Sequence, residues 1–243
     1  MFAIYQKEIN AFFNSLIGYL VIIVFLSFIG LYMWVFPDYN VFDLGFADME
    51  TLFTFGPLAF LFLIPAITMR SFAEEKKDGT IELLLTRPVT DWQIIGGKYL
   101  ACLTLVVFAL IPTLVYYISL YFLGNPEGNI DSAGVFSSYL GLILLGAVYT
   151  AVGIFSSVIS GNQIVAFILA VILSYFLYDG LARIASLGIF EGLTLFMSSF
   201  GLDHHYYSMG KGLIDSRNVL YFISCIAVLL MSTKLVMGSR QWE

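Results

Sequence analysis

Three places in the chain hold residue types that do chemistry. Asp203, His204 and His205 have the composition of a metal site, and Gly97-Lys98 is how a phosphate-binding loop ends. The stretch RSFAEEKKDGTIELLLTRPVTDWQIIGGK, Arg70 to Lys98, carries ten of the 28 Asp, Glu, Lys and Arg residues. Spacing defeats the first two. Adjacent residues on a helix or strand point in different directions, so neighbouring histidines do not converge on one ion. An interfacial packing role fits DHHYY better, with Tyr206 and Tyr207 as aromatic anchors at a membrane surface. A phosphate loop needs Gly five positions before Gly97, where Trp92 stands, and Ser or Thr after Lys98, where Tyr99 stands. No Gly-x-Ser-x-Gly, His-Glu-x-x-His or Cys-x-x-Cys occurs either. The expectation is a chain with no catalytic residue, no metal and no ATPase activity of its own.

What must position the third group is set by the solvent the chain is built for. Of 243 residues 60% are hydrophobic and 12% charged, and mean hydropathy is +0.91, far from a soluble globular domain. A net charge of -6, without a basic run interleaved with aromatics, argues against a nucleic-acid partner. Cys102 and Cys225 sit inside apolar runs and read as small buried hydrophobes rather than a disulfide. The first apolar segment ends in LYMWVFPD, without a small-residue cleavage site, so it is expected to stay as an anchor.

The fold class these patterns predict is all-α and integral to the membrane, one domain over 1–243 with six transmembrane helices. Apolar runs of roughly 20 residues, enough to cross the hydrocarbon, fall near Leu16–Phe36, Thr54–Ser71, Gly96–Leu123, Phe136–Ile159, Gln163–Tyr178 and Val219–Met237. Residues 1–15 read as an interfacial helix. Phe2, Tyr5, Ile9, Phe12, Phe13 and Leu16 share one face, and Lys7, Glu8, Asn10 and Asn14 lie elsewhere. Residues 179–217, which include His205, Tyr206, Gly212 and Asp215, read as short re-entrant helices in the outer leaflet before span six. Glu191 and three glycines interrupt their apolar run, with a seventh span as the alternative. Six spans place eight of the eleven Lys and Arg residues, and both termini, on the cytoplasmic side.

Span interiors hold no ionisable residue, which weakens an ion-coupled carrier. Pro57, Pro65 and Pro112 are candidate kinks in spans two and three. Small residues recur at four-residue spacing in Gly97/Ala101, Ala147/Ala151 and Gly153/Ser157/Gly161, faces that let helices approach within one chain or between two.

The charged stretch, residues 71–95, divides by its breakers. Arg70 to Lys77 continues span two, Asp78-Gly79 stops it, and Thr80 can cap a short helix, IELLLTR, that Pro88 ends. Thr90-Asp91-Trp92-Gln93 is a capping box that starts span three. Leu83, Leu84 and Leu85 give the short helix more apolar surface than a solvated connector needs, so it either docks a partner or lies on the headgroups.

RSFAEEKKDGTIELLLTRPVTDWQIIGGKYLA resembles the connection between spans two and three of ABC-2 type transporter permeases. The likeness is carried by Ala73, Glu74, Glu75, Gly79, Thr80, Glu82, Leu83, Leu84, Pro88, Val89, Gly97 and Lys98. HHYYSMGKGLIDSRNVLYFIS is similar to the family's segment before the last span, with Asn218 where many relatives have Asp. Within the family the chain is most similar to gliding-motility-associated permeases. The resemblance implies a permease half that pairs with a second permease, identical or not, in the bacterial inner membrane. A separate cytoplasmic ATPase, which binds the ATP and Mg, would drive it. The connection would then be a coupling helix in a cleft of that ATPase, with Tyr5, Lys7, Glu8 and Phe12 of the interfacial helix beside it. A membrane scaffold that anchors an ATP-driven machine and moves no substrate is the rival reading.

Overall fold

The computed structural model describes residues 1–80, 89–186, 199–212 and 214–239. The expected short helix, with Glu82, Leu83, Leu84, Leu85 and Pro88, lies outside the described residues, as does 187–198. Among the described residues the chain is helical without strands. The helices are α1 (Phe2–Phe13), α2 (Leu16–Trp34), α3 (Val41–Leu44), α4 (Glu50–Thr68), α5 (Arg70–Lys77), α6 (Asp91–Leu110), α7 (Leu114–Leu123), α8 (Ser132–Ile159), α9 (Gln163–Tyr175), α10 (Leu181–Ser186), α11 (Leu202–Met209) and α12 (Ser216–Ser239). A 3₁₀ turn at Ile111–Thr113, carrying Pro112, joins α6 to α7, and a wider π turn at Phe176–Gly180 joins α9 to α10.

Six segments are long and apolar enough to span a bilayer: Leu16–Trp34, Glu50–Lys77, Asp91–Leu123, Ser132–Ile159, Gln163–Ser186 and Ser216–Gly238. They coincide with the six expected runs. The fifth runs on through the π turn to Ser186, so it is longer than its unbroken apolar stretch suggests.

The bundle is organised around α8. Its most apolar stretch is 78% buried, against 11% in α12, 17% in α9 and 28% in α2, so α8 is the axis and the others turn apolar sides outward. α4, α5, α6, α9, α11 and α12 all pack on it. Small residues make this possible: a Cβ at Gly153 would sit 2.0 Å from Thr68 Oγ1, so α4 touches the backbone of α8 there. The Gly153/Ser157 spacing is thus used within the chain, whereas nothing lies within 4 Å of a Cβ built at Gly161.

α4 runs through both Pro57 and Pro65 and breaks instead at Met69. The Thr68 hydroxyl bonds back to Ile64 O at 2.9 Å. Phe72 N–H and Ala73 N–H, which would donate to carbonyls one turn back in a continuous helix, donate to Ser157 Oγ of α8 at 2.9 and 3.0 Å. Ser157 in turn donates to Met69 O at 3.1 Å, so one hydroxyl of α8 bridges both sides of the α4–α5 break. α5 closes as its sequence predicts. Gly79 has φ +67°, Thr80 N–H reaches Glu75 O at 2.9 Å and Gly79 N–H reaches Lys76 O at 3.2 Å, the paired bonds of a Schellman motif. At the start of α6, Thr90 N–H donates to Gln93 Oε1 at 3.2 Å, the return arm of the capping box.

Candidate functional site

At the α1 end of the bundle the charged residues expected on the surface converge on a buried one. Lys98 lies two turns inside α6 with 1% of its side chain exposed. Its ammonium has three donors and three oxygen partners: Glu8 Oε1 at 2.8 Å, Glu75 Oε1 at 3.0 Å and Ser71 O at 2.5 Å. The Phe72 ring lies 4.9 Å below it. Lys7 donates to the same Glu75 oxygen at 2.8 Å, so two cations face two carboxylates and the cluster is neutral. Removing charges from water is offset only by close geometry and full hydrogen bonding, and on the lysine side the three satisfied donors of Lys98 supply both, while Glu75 Oε2 is left unpaired. Partial burial pulls the Lys7 ammonium down, but the bond and charge of Glu75, with Glu8 and Glu74 nearby, outweigh it and hold it above its ordinary 10.5.

The cluster fastens three elements that are far apart in sequence. α1 meets α6 through Glu8–Lys98 and through Tyr5 Oη, which donates to Thr104 Oγ1 at 3.2 Å. α5 meets both through Glu75. Arg70 Nη1 ties the bend to Ser15 Oγ, at the start of α2, at 3.1 Å. A Cβ at Gly97 would lie 3.1 Å from Met1 O and 3.2 Å from Ile4 Cβ, so α1 lies directly on that turn of α6.

This alters the reading of α1. Phe2 and Leu16, two of the six residues of the apolar face expected to lie in the interface, are 74% and 78% exposed rather than packed on the bundle. The packed stripe is Ile4, Glu8 and Phe12 with Tyr5, Ile9 and Phe13, because the buried ammonium draws Glu8 inward. Glu74 and Glu75, alike in sequence, also separate: Glu74 is exposed and Glu75 is 9% exposed and held within.

The segments before the last span contain a second polar group. His205 Nδ1 lies 2.8 Å from Asn218 Oδ1 and its Nε2 3.0 Å from Ser199 O, with the ring stacked on Tyr221 at 3.9 Å. Asn218 therefore occupies a contact position for His205. Tyr206 is not an interfacial anchor: it is 7% exposed and donates to Phe53 O at 2.7 Å, because Leu202, Tyr206 and Met209 share the face of α11 turned to the core. Tyr207 is 69% exposed under Lys211. Gly212 has φ +81° and Asp215 Oδ1 accepts from Arg217 N at 2.9 Å as α12 begins. A cavity of about 830 Å³ opens here, with Asp48, Glu50, Asp131, Asp179 and Asp203 on its walls. Burial pushes the Asp203 carboxyl up from its ordinary 3.8; the N–H of His204 opposes this and the charge of Asp179 adds to it. Among the described residues no three His, Cys, Asp or Glu side chains are grouped to hold a metal.

A family model described as ABC-2 family transporter protein matches residues 2–200, from α1 through the junction and the first five spans. The chain belongs to the ABC-2 transporter family. It is a multi-pass membrane protein and a transmembrane permease component of an ABC transporter, not the ATPase, and membership implies an ATPase subunit as partner in general. No curated relative matches it. In this ABC-2 permease the Lys98 cluster lies wholly inside the matched region. The sequence pattern places Glu75 in the coupling region and Lys7 and Glu8 on the interfacial helix beside it, and offers Lys98 only as a failed phosphate loop, the end of the charged stretch and part of the family likeness. The signal for Lys98 was a charge two turns beyond a capping box, followed by an apolar run. Ser157 carried no such signal.

Proposed function

We propose that the chain is the membrane half of an ATP-driven transporter of the gliding-motility subtype, in the bacterial inner membrane with both termini cytoplasmic. It pairs with a second permease, and region 71–95 receives the movement of a separate ATPase as that subunit binds and hydrolyses ATP. The observation that carries this reading is the Lys98 cluster. It joins α1, α5 and α6 at the base of the Glu74–Thr90 connection, so force applied to the connection reaches spans two and three and α1 together. Exposed Glu74 on α5 and Asp78 just after it, with Leu83 and Leu84 beyond, are the docking groups; Glu75 and Glu8 are the internal ones.

The test is reconstitution with the ATPase subunit of the same transporter. Glu74→Lys with Leu83→Ser and Leu84→Ser is expected to abolish co-elution of the ATPase and its permease-stimulated turnover, while membrane insertion is unchanged. Unchanged co-elution and turnover overturn the docking role of 71–95. ATP turnover that no candidate substrate stimulates in sealed vesicles, with docking intact, overturns transport in favour of a mechanical anchor.

A further inference from the structure

The junction also encloses a cleft of about 330 Å³ between α1, the start of α2, the α4–α5 bend and α6, in the size range of small-molecule sites. Two buried polar atoms on residues of its wall have no hydrogen-bond partner: Arg70 Nε, an N–H donor, and Glu75 Oε2, a carboxylate acceptor. Glu75 is 9% exposed, and its other oxygen is already used by Lys7 and Lys98. Leaving such groups unmade is unfavourable, and their needs are opposite. Arg70 lacks an acceptor oxygen and Glu75 lacks an N–H donor. A single ligand answers both if it carries an anionic oxo group and an ammonium a short distance apart.

We propose that this cleft binds a phospholipid whose headgroup carries both a phosphate and a primary ammonium, the chemistry of phosphatidylethanolamine. The phosphate faces Arg70 and the ammonium faces Glu75. Position argues for a lipid. α2 is a span and begins at Leu16, one residue after the Ser15 that Arg70 holds, so the polar half of the cleft lies at headgroup depth. Phe12, Ile17, Ile67 and Leu105 line the other half, and Ile17, in the first turn of the α2 span, is 39% exposed. Charge selects the headgroup. The wall carries Glu8, Glu74, Glu75 and Asp78 against Lys7 and Arg70, with the Lys98 ammonium behind Glu8 and Glu75, so carboxylates still exceed cations by one, a balance that disfavours a net anionic lipid and suits one whose ammonium offsets its phosphate. A trimethylammonium has no N–H for Glu75. The inference does not depend on how the ATPase couples.

The experiment uses the full chain, purified in detergent, stripped of lipid and titrated in mixed micelles with dioleoyl phosphatidylethanolamine, phosphatidylcholine or phosphatidylglycerol. Retained lipid is read by native mass spectrometry. Phosphatidylethanolamine is expected to bind about tenfold or more tighter than the other two, the worth of one charge-assisted hydrogen bond. Arg70→Gln, checked for an unchanged gel-filtration profile, is expected to lose that preference, and Arg70→Lys to keep part of it. The wild-type headgroup series needs no variant to fold. Equal binding of the three lipids, or tighter binding of phosphatidylglycerol, overturns the proposal. Soluble phosphoethanolamine binding as tightly as the lipid overturns the lipid as its source.

Discussion

Replacing Lys98 by Met keeps the length of the side chain and removes the ammonium. Three partners are then left, and they do not suffer alike. Glu75 keeps Lys7 at 2.8 Å; Glu8, with 19% of its side chain exposed, and Ser71 O lose a charged donor. Removing one partner of a buried pair destabilises by about 3 to 5 kcal/mol, and the surviving Lys7 contact with the partial wetting of Glu8 places this case near 3 kcal/mol. That is about a hundredfold in the unfolding constant. It is measured by denaturant titration in mixed micelles, with amide exchange to locate the loss. Exchange is expected to rise in α1 and α5 while α8 stays protected. Adding Glu8→Gln to Lys98→Met neutralises the stranded carboxylate and is expected to regain about 1 kcal/mol or more, a coupling a double-mutant cycle resolves. Lys98→Arg is not expected to substitute, since a planar guanidinium needs more acceptors than this buried site holds. The reasoning fails if Lys98→Met lies within about 0.5 kcal/mol of wild type, the range of a surface substitution, or if Glu8→Gln has the same effect with and without Lys98.

Ser157→Ala leaves the Phe72 and Ala73 N–H groups without their acceptor; a loss of about 1 to 3 kcal/mol is expected, with faster exchange at those two amides. Gly153→Ala places a Cβ 2.0 Å from Thr68 Oγ1, and forced separation of α4 from α8 is expected to lower stability by about 1 to 3 kcal/mol, read as a lower unfolding midpoint. For Asp203, burial raises the folded carboxyl above its ordinary 3.8, so the native state holds that proton more tightly than the unfolded chain. Its contribution is fully present below 3.8 and is lost as pH rises through the folded value. Asp203→Asn is expected to flatten the pH dependence of the unfolding midpoint just above 3.8, and an unchanged slope counts against it.

Most of the architecture is legible from local rules. A span is a matter of length and apolarity, which neighbours do not change, so six runs became six helices. Breakers act within a few residues, so Gly79 closed α5 and the Thr90/Gln93 box opened α6 as written. The fifth helix escaped because its polar continuation through Asp179 is carried by a π turn, which leaves no apolar signature. The break at Met69 in span two escaped because the group that bridges it is a hydroxyl of α8, 88 positions from the Met69 carbonyl it bonds, while the helix runs through both prolines within the span.

The sequence by itself determined the solvent, the number of crossings and the place where charge gathers, because each depends on composition or on contacts a few residues apart. Only the tertiary structure decided which of those charges are buried. Glu74 and Glu75 are chemically the same, yet one is exposed and the other buried. What separates them is the burial of Lys98 inside α6, whose donors must be met in a medium without water, and α1 and α5 are the elements close enough to meet them.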